Sequence, residues 1–165
     1  MAGQKERHAI LAEIMRLDPA DFGGADLLRT VTIGVSAGKF TSAYGQSLAI
    51  IALKRGGAPV PATLVAQLLA SQATTGADAG AFGYEWPIGT FNADPDSTAL
   101  SIQALRLVKG HGAAVNAAVA WAKRTQKPTG YWEAYSPVDS TSLLASALQQ
   151  VGETMPVISL GHRVP

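Results

Sequence analysis

Two kinds of apolar segment alternate along the chain. One kind is apolar on nearly every side and occupies residues 48–53, 100–108 and 143–151. The other carries a single apolar stripe at helical spacing, as in residues 64–69 and 115–122. A helix that is apolar all round is normally buried, whereas a single stripe is typical of a helix that covers a core from outside. The pattern therefore predicts inner and outer helices in alternation.

The head of the chain repeats this scheme in two stripes, formed by Ile10, Leu11, Ile14 and Met15 and then by Leu27, Leu28 and Val31. Altogether the pattern predicts about seven helices, of which four are inner and three are outer. Strand-like alternation is scarce, so the predicted fold class is all-α.

Internal similarity supports this prediction. The segment DSTALSIQALRLVKG from Asp96 matches DSTSLLASALQQVGE from Asp139 at an offset of 43 residues. An earlier copy from Tyr44 matches in its apolar positions but lacks the aspartate. Repeats of this length usually form helical pairs that stack into a solenoid or a ring. We predict one domain, 1–165, with repeats at about 8–37, 38–79, 80–129 and 130–152 and a tail at 153–165.

The loops between the predicted helices are rich in glycine and aromatic residues. The stretch QKPTGYW from Gln126 resembles the glutamine-to-tryptophan repeat motif of the terpenoid-cyclase and protein-prenyltransferase α/α-toroid superfamily. QATTGADAGAF from Gln72 is a longer version that ends in phenylalanine, and GKF at Gly38 lacks the glutamine. The chain is thus similar to prenyltransferase/squalene-oxidase-type repeat proteins, and its sequence pattern most resembles that of bacterial ones.

The resemblance implies a toroid of about six inner and six outer helices, of which this chain supplies little more than half. We therefore expect either a fragment of a longer reading frame or a ring that another subunit completes. Similar proteins are often secreted or displayed at the cell surface. The first residues of this chain do not have the long apolar region of a signal peptide, so its location is left open.

Composition narrows the function classes. Thirteen Lys and Arg against 12 Asp and Glu give a net charge of +1 without a dense basic cluster, so nucleic acid is a poor candidate partner. No apolar stretch is long enough for a membrane span. Because cysteine is absent, thiolate catalysis and the cysteine-containing zinc site of protein prenyltransferases are excluded. The histidines and acids show no metal-ligand spacing, so neither a metal nor another cofactor is predicted.

Asp94 and Asp96 precede the second inner helix. The resemblance suggests the Asp-x-Asp-Asp motif of class II terpene cyclases, in which Asp96 would be the proton donor and Asp94 its support. The fourth position, however, is Ser97. Alternatively, Asp96 or Ser97 caps the helix, and Asp139 and Ser140 do the same one repeat later. Recurrence favours the cap, because every helix needs one whereas a catalytic acid is needed once.

The aromatic loop residues also allow two roles. They either fasten adjacent repeats together or face a ligand, as the rings that stabilise carbocations in cyclases do. The candidate ligand-binding residues are Tyr84, Trp86, Phe91, Trp132, Tyr135 and Asp139.

Three functions remain open at this stage. The favoured one is a non-catalytic toroid repeat module that binds a small molecule or a protein on its concave face. The first alternative is a fragment of a class II, squalene-type terpene cyclase with Asp96 as the acid. The second is a structural segment of a surface protein.

Overall fold

The computed structural model describes residues 4–153, and within them the chain forms seven α-helices and one small antiparallel sheet. In chain order the elements are α1 (Lys5–Ile14), α2 (Leu27–Ser36), α3 (Ala43–Arg55), α4 (Ala62–Ala70), β1 (Gly83–Glu85), β2 (Phe91–Ala93), α5 (Pro95–Val108), α6 (Gly112–Thr125) and α7 (Pro137–Gln150). The predicted all-α class is confirmed, since the chain is mostly helical. Of the predicted tail, only residue 153 lies within the described residues.

The odd-numbered helices form a row in sequence order. Helix α3 packs against α1 on one side and α5 on the other, and α5 packs against α7. The even-numbered helices lie on this row: α2 contacts α1 and α3, α4 contacts α3, and α6 contacts α5. The two segments with the strongest internal similarity, 100–108 and 143–151, therefore belong to neighbouring helices.

The middle of the row holds the core. Residues of α3 and α5 that are apolar on every side are buried, among them Ile50, Leu53, Ile102 and Leu105. From α7, Leu144 and Leu148 reach the same cluster. Helices α3 and α5 are covered on several sides, whereas α1 and α7 stand at the ends of the row. The all-round apolar pattern therefore predicted buried positions correctly.

The helix caps differ from the prediction. Helix α5 is capped by Asp94, whose carboxylate accepts from the backbone N–H of Ser97 at 2.8 Å, and not by Asp96 or Ser97. Helix α7 begins after Ser136, and Asp139 lies in its first turn. In both helices a proline occupies the first helical position, where its fixed φ suits the helix and no N–H is needed. Each helix therefore starts earlier than predicted.

A β-hairpin stands in the long loop before α5, where no strand was predicted. Strands β1 and β2 pair with Gly83 opposite Ala93 and Glu85 opposite Phe91. The Trp86 N–H donates to the Thr90 carbonyl at 2.9 Å, and the Asn92 side chain donates to the carbonyls of Trp86 and Thr90. Strands of three residues are too short to show an alternating pattern, so the hairpin could not be predicted from the sequence.

Within residues 4–153, no helix combines the length and the apolar character needed to cross a bilayer. The longest helices have 14 residues, which corresponds to about 21 Å at the usual rise. The hydrocarbon core of a bilayer is about 30 Å thick.

Candidate functional site

A repeated set of hydrogen bonds fixes the loops that lead into the inner helices. In the second repeat, the Gln72 side chain donates to the Gly80 carbonyl at 2.9 Å and to the Ala114 carbonyl at 2.9 Å. In the third, Gln126 donates to the Gly130 carbonyl at 3.0 Å. The glutamine of the motif thus holds the glycine turn in both copies.

The threonine of each Asp-Ser-Thr sequence holds the aromatic residue that follows this turn. The Thr98 hydroxyl accepts from the Phe82 N–H and donates to the Phe82 carbonyl, both at 3.0 Å. One repeat later, the Thr141 hydroxyl accepts from the Trp132 N–H at 3.1 Å. The repeated threonine therefore joins the end of each loop to the helix that follows it.

The start of the repeat at 38–79 makes the same connection with a different residue. Gln46 occupies the position equivalent to Thr98, and its side chain donates to the Phe40 carbonyl at 3.1 Å. Phe40, Phe82 and Trp132 are all buried. We call this unit, a buried aromatic residue bound by its backbone to the next inner helix, the aromatic anchor.

Trp132 belongs to an anchor, and this limits its availability to a ligand. Its side chain is 1% exposed, and its indole N–H donates to the Ala122 carbonyl on α6 at 2.8 Å. Of the two roles weighed for the aromatic loop residues, Trp132 and Phe82 have the positions expected of residues that fasten repeats together.

Other predicted residues meet at the ends of the inner helices. Two depressions, of about 730 and 510 Å³, flank the hairpin and share Asp78, Tyr84 and Phe91 in their walls. The larger reaches the start of α3 at Ser42. The smaller reaches the start of α5 at Asp94. We call the two together the loop-end groove.

The far wall of the smaller depression is the loop before α7, which contributes Glu133, Ala134 and Tyr135. Tyr135 is fully exposed, and Tyr84 is half-exposed. The groove therefore brings together Tyr84, Phe91, Asp94 and Tyr135, four of the residues singled out from the sequence.

The remaining candidates lie outside the walls of the groove. Trp86 is at the hairpin turn, with 73% of its surface exposed. Asp96 lies half-buried in the first turn of α5, and its Oδ1 atom is buried without a hydrogen-bond partner among the described residues. Asp139 is exposed on α7 and accepts from the Ser136 hydroxyl at 2.7 Å.

The charge of the groove is negative. Between residues 56 and 105 the chain has four acids, Asp78, Glu85, Asp94 and Asp96, and no lysine, arginine or histidine. All of them except Asp96 line the groove. In the described part of the chain, none of these four forms an ion pair. Carboxylates without paired cations attract positively charged groups.

Two cations that contact residues of the groove walls already have partners. Lys127 pairs with Glu133 at 2.7 Å, and this hydrogen bond and charge lower the pKa of Glu133 and raise that of Lys127. Arg124 donates to the carbonyls of Ala77 and Ala79 at 3.1 and 2.7 Å. Both cations therefore have local partners beside the groove.

One carboxylate of the groove already serves as a helix cap. The Asp94 carboxylate is engaged by the Ser97 N–H at 2.8 Å, as a helix cap. Across residues 4–153, no three His, Cys, Asp or Glu side chains come together in a way that could hold a metal ion. What the groove offers is exposed aromatic surface beside carboxylates.

The sequence analysis did not single out three acids of the groove. Asp78, Glu85 and Glu133 were not among its candidate residues, yet all three line the groove. For two of them the available signal was their position, since Asp78 follows Gly76 and Glu133 follows Gly130 in equivalent loops.

Comparison of the chain with protein-family models, with curated proteins and with solved structures finds no match.

Proposed function

We propose that the chain is a non-catalytic α/α-toroid repeat module and that the loop-end groove binds a positively charged segment of a protein partner. Two features support the toroid: inner helices follow one another in a row with outer helices on them, and three repeats carry an aromatic anchor. The chain would contribute part of such a ring.

The observation that carries the binding proposal is the unpaired negative charge of a groove lined with aromatic rings. Asp78 lies in both depressions beside Tyr84 and Phe91. Lysine and arginine gain both from nearby carboxylates and from the faces of aromatic rings.

The shape favours an extended peptide over a small molecule. Small-molecule sites usually enclose most of the ligand surface, whereas both depressions here are open to solvent. The groove runs from the start of α3 to the start of α7, across two helix spacings, or about 18 Å. An extended strand of five or six residues has this length.

Binding is tested with two fluorescein-labelled octapeptides, one alternating lysine and glycine and the other alternating glutamate and glycine. Fluorescence anisotropy against the full chain should show binding of the lysine peptide only, and the affinity should fall as salt is raised. Equal binding of both peptides, or of neither, would contradict the proposal.

Substitutions locate the site. Tyr135→Ala removes a fully exposed ring and should weaken binding about tenfold without loss of stability. Tyr131→Ala is its matched control, because Tyr131 is also exposed but lies outside the groove walls. Asp78→Asn should weaken binding to a similar extent, whereas Asp21→Asn, in the loop after α1, should not. If the controls weaken binding as much as the groove variants, the site is elsewhere.

A further inference from the structure

The hydrogen bonds of the hairpin leave alternate backbone groups of β2 unused. The Trp86 N–H donates to the Thr90 carbonyl, and the next pair along the ladder is Glu85 with Phe91. Hydrogen-bonded and non-bonded pairs alternate in an antiparallel ladder. The backbone N–H and carbonyl of Phe91 therefore point away from β1, and so do those of Ala93 two residues later.

The two edges of the hairpin have different surroundings. On the side of β1, Gly83 is buried, and the strand packs against α3 and α5. All three residues of β2 line the smaller depression of the loop-end groove, to which β1 contributes only Tyr84. The sheet has two strands within residues 4–153, so no third strand of the described chain covers β2. The outer edge of β2 thus adjoins the smaller depression, opposite the loop before α7.

An uncovered strand edge can pair with a further strand. Proteins commonly block such edges with a lysine, a proline or a bulge. Strand β2 reads Phe-Asn-Ala and pairs with β1 in regular register, so it has none of these. Beside it, the walls of the smaller depression contain Asp78 and Asp94, whose charge favours a cationic segment.

We propose that the partner segment binds in the smaller depression as an added strand, paired through its backbone with the outer edge of β2. This inference rests on the proposed function, because it states how the same positively charged segment is held. The free N–H and carbonyl groups of Phe91 and Ala93 supply up to four hydrogen bonds to the added strand. Backbone pairing provides affinity for any extended peptide, and the acids of the groove then select lysine and arginine side chains.

Selective N-methylation of the peptide tests the pairing. In an extended strand, the N–H groups of alternate residues point to opposite edges. In one variant of the lysine–glycine octapeptide every glycine is replaced by N-methylglycine, and in the other every lysine by N-methyllysine. Both variants keep the charge and the number of methyl groups equal, but only one of them loses the N–H groups that face β2. By fluorescence anisotropy, one variant should bind at least tenfold more weakly than the other.

Amide hydrogen exchange of the full chain locates the added strand. Saturation with the unmethylated lysine peptide should slow the exchange of the Phe91 and Ala93 amides at least tenfold, because each N–H gains an acceptor. The Glu85 amide is the matched control. It also points away from its partner strand, but it lies on the opposite edge of the hairpin, so its exchange should change less than twofold.

The outcomes distinguish this inference from the proposed function. If the unmethylated lysine peptide does not bind, both are wrong. If it binds and the two methylated variants bind equally well or equally poorly, the added strand alone is wrong. Slower exchange at Glu85 without a change at Phe91 and Ala93 would likewise overturn pairing with β2, while leaving the groove as the binding site.

Discussion

Thr98→Val is the most direct test of the aromatic anchor. The substitution keeps the shape of a fully buried side chain and removes only its hydroxyl, which joins α5 to both backbone groups of Phe82. The Phe82 carbonyl keeps a second bond, from the Asp94 N–H at 3.0 Å. The Phe82 N–H loses the acceptor that the Thr98 hydroxyl provides.

The expected loss of stability follows from this difference. The substitution leaves one buried N–H without an acceptor and removes one hydrogen bond to a carbonyl that keeps another. Together these changes should lower the free energy of unfolding by about 2–4 kcal/mol. In a domain of this size, the melting temperature should fall by roughly 5–15 °C. Thr98→Ser retains the hydroxyl and should lose less than half as much. Thr141→Val removes one bond at a less buried position and should cost about 1 kcal/mol.

Urea unfolding followed by circular dichroism measures these changes, provided that the m-value stays the same in all variants. The anchor predicts a larger loss of stability for Thr98→Val than for Thr141→Val. If Thr98→Val and Thr98→Ser lose the same small amount, the hydroxyl has no such role and the repeated threonine needs another explanation.

Two further predictions concern single carboxylates. Asp94→Ala should cost about 1 kcal/mol in urea unfolding because it removes the cap of α5, whereas Asp96→Ala should cost less, and the opposite order would contradict the cap assignment. Glu6→Gln should stabilise the chain at pH 7, because burial raises the pKa of Glu6 above its ordinary 4.5 and makes the ionised form unfavourable. Its advantage in thermal unfolding should shrink as the pH falls through the raised pKa and level off below about 4.5, while an advantage independent of pH would show that ionisation is not the cause.

Hydrophobic spacing predicted α3 and α5 well because the burial of their apolar residues is nearly complete. Residues such as Ile50 and Ile102 are surrounded by other helices, so their environment leaves little choice of residue type. The same reasoning failed for α1, which stands at the end of the row and packs on α2 and α3, and whose Ile14 and Met15 are exposed. A stripe of apolar residues indicates that burial of that surface is favourable, but not that the same chain covers it.

The residues of the loop-end groove were predicted only in part, because the groove is formed by loops that are far apart in the sequence. Tyr84 and Tyr135 are 51 positions apart, and they share a depression only because α5 and α7 begin side by side. The hairpin that carries Tyr84 is held by the Asn92 side chain and the Trp86 N–H. Such contacts produce no period in the sequence.

The contacts of the two Asp-Ser-Thr sequences change the interpretation of why this sequence is repeated. Neither aspartate caps its helix, since Asp94 caps α5 and α7 begins after Ser136. The threonines, by contrast, accept a backbone N–H from the buried aromatic residue in both copies. The element common to the two copies is therefore the threonine anchor, and the similarity of the aspartates carries no argument for chemistry at Asp96.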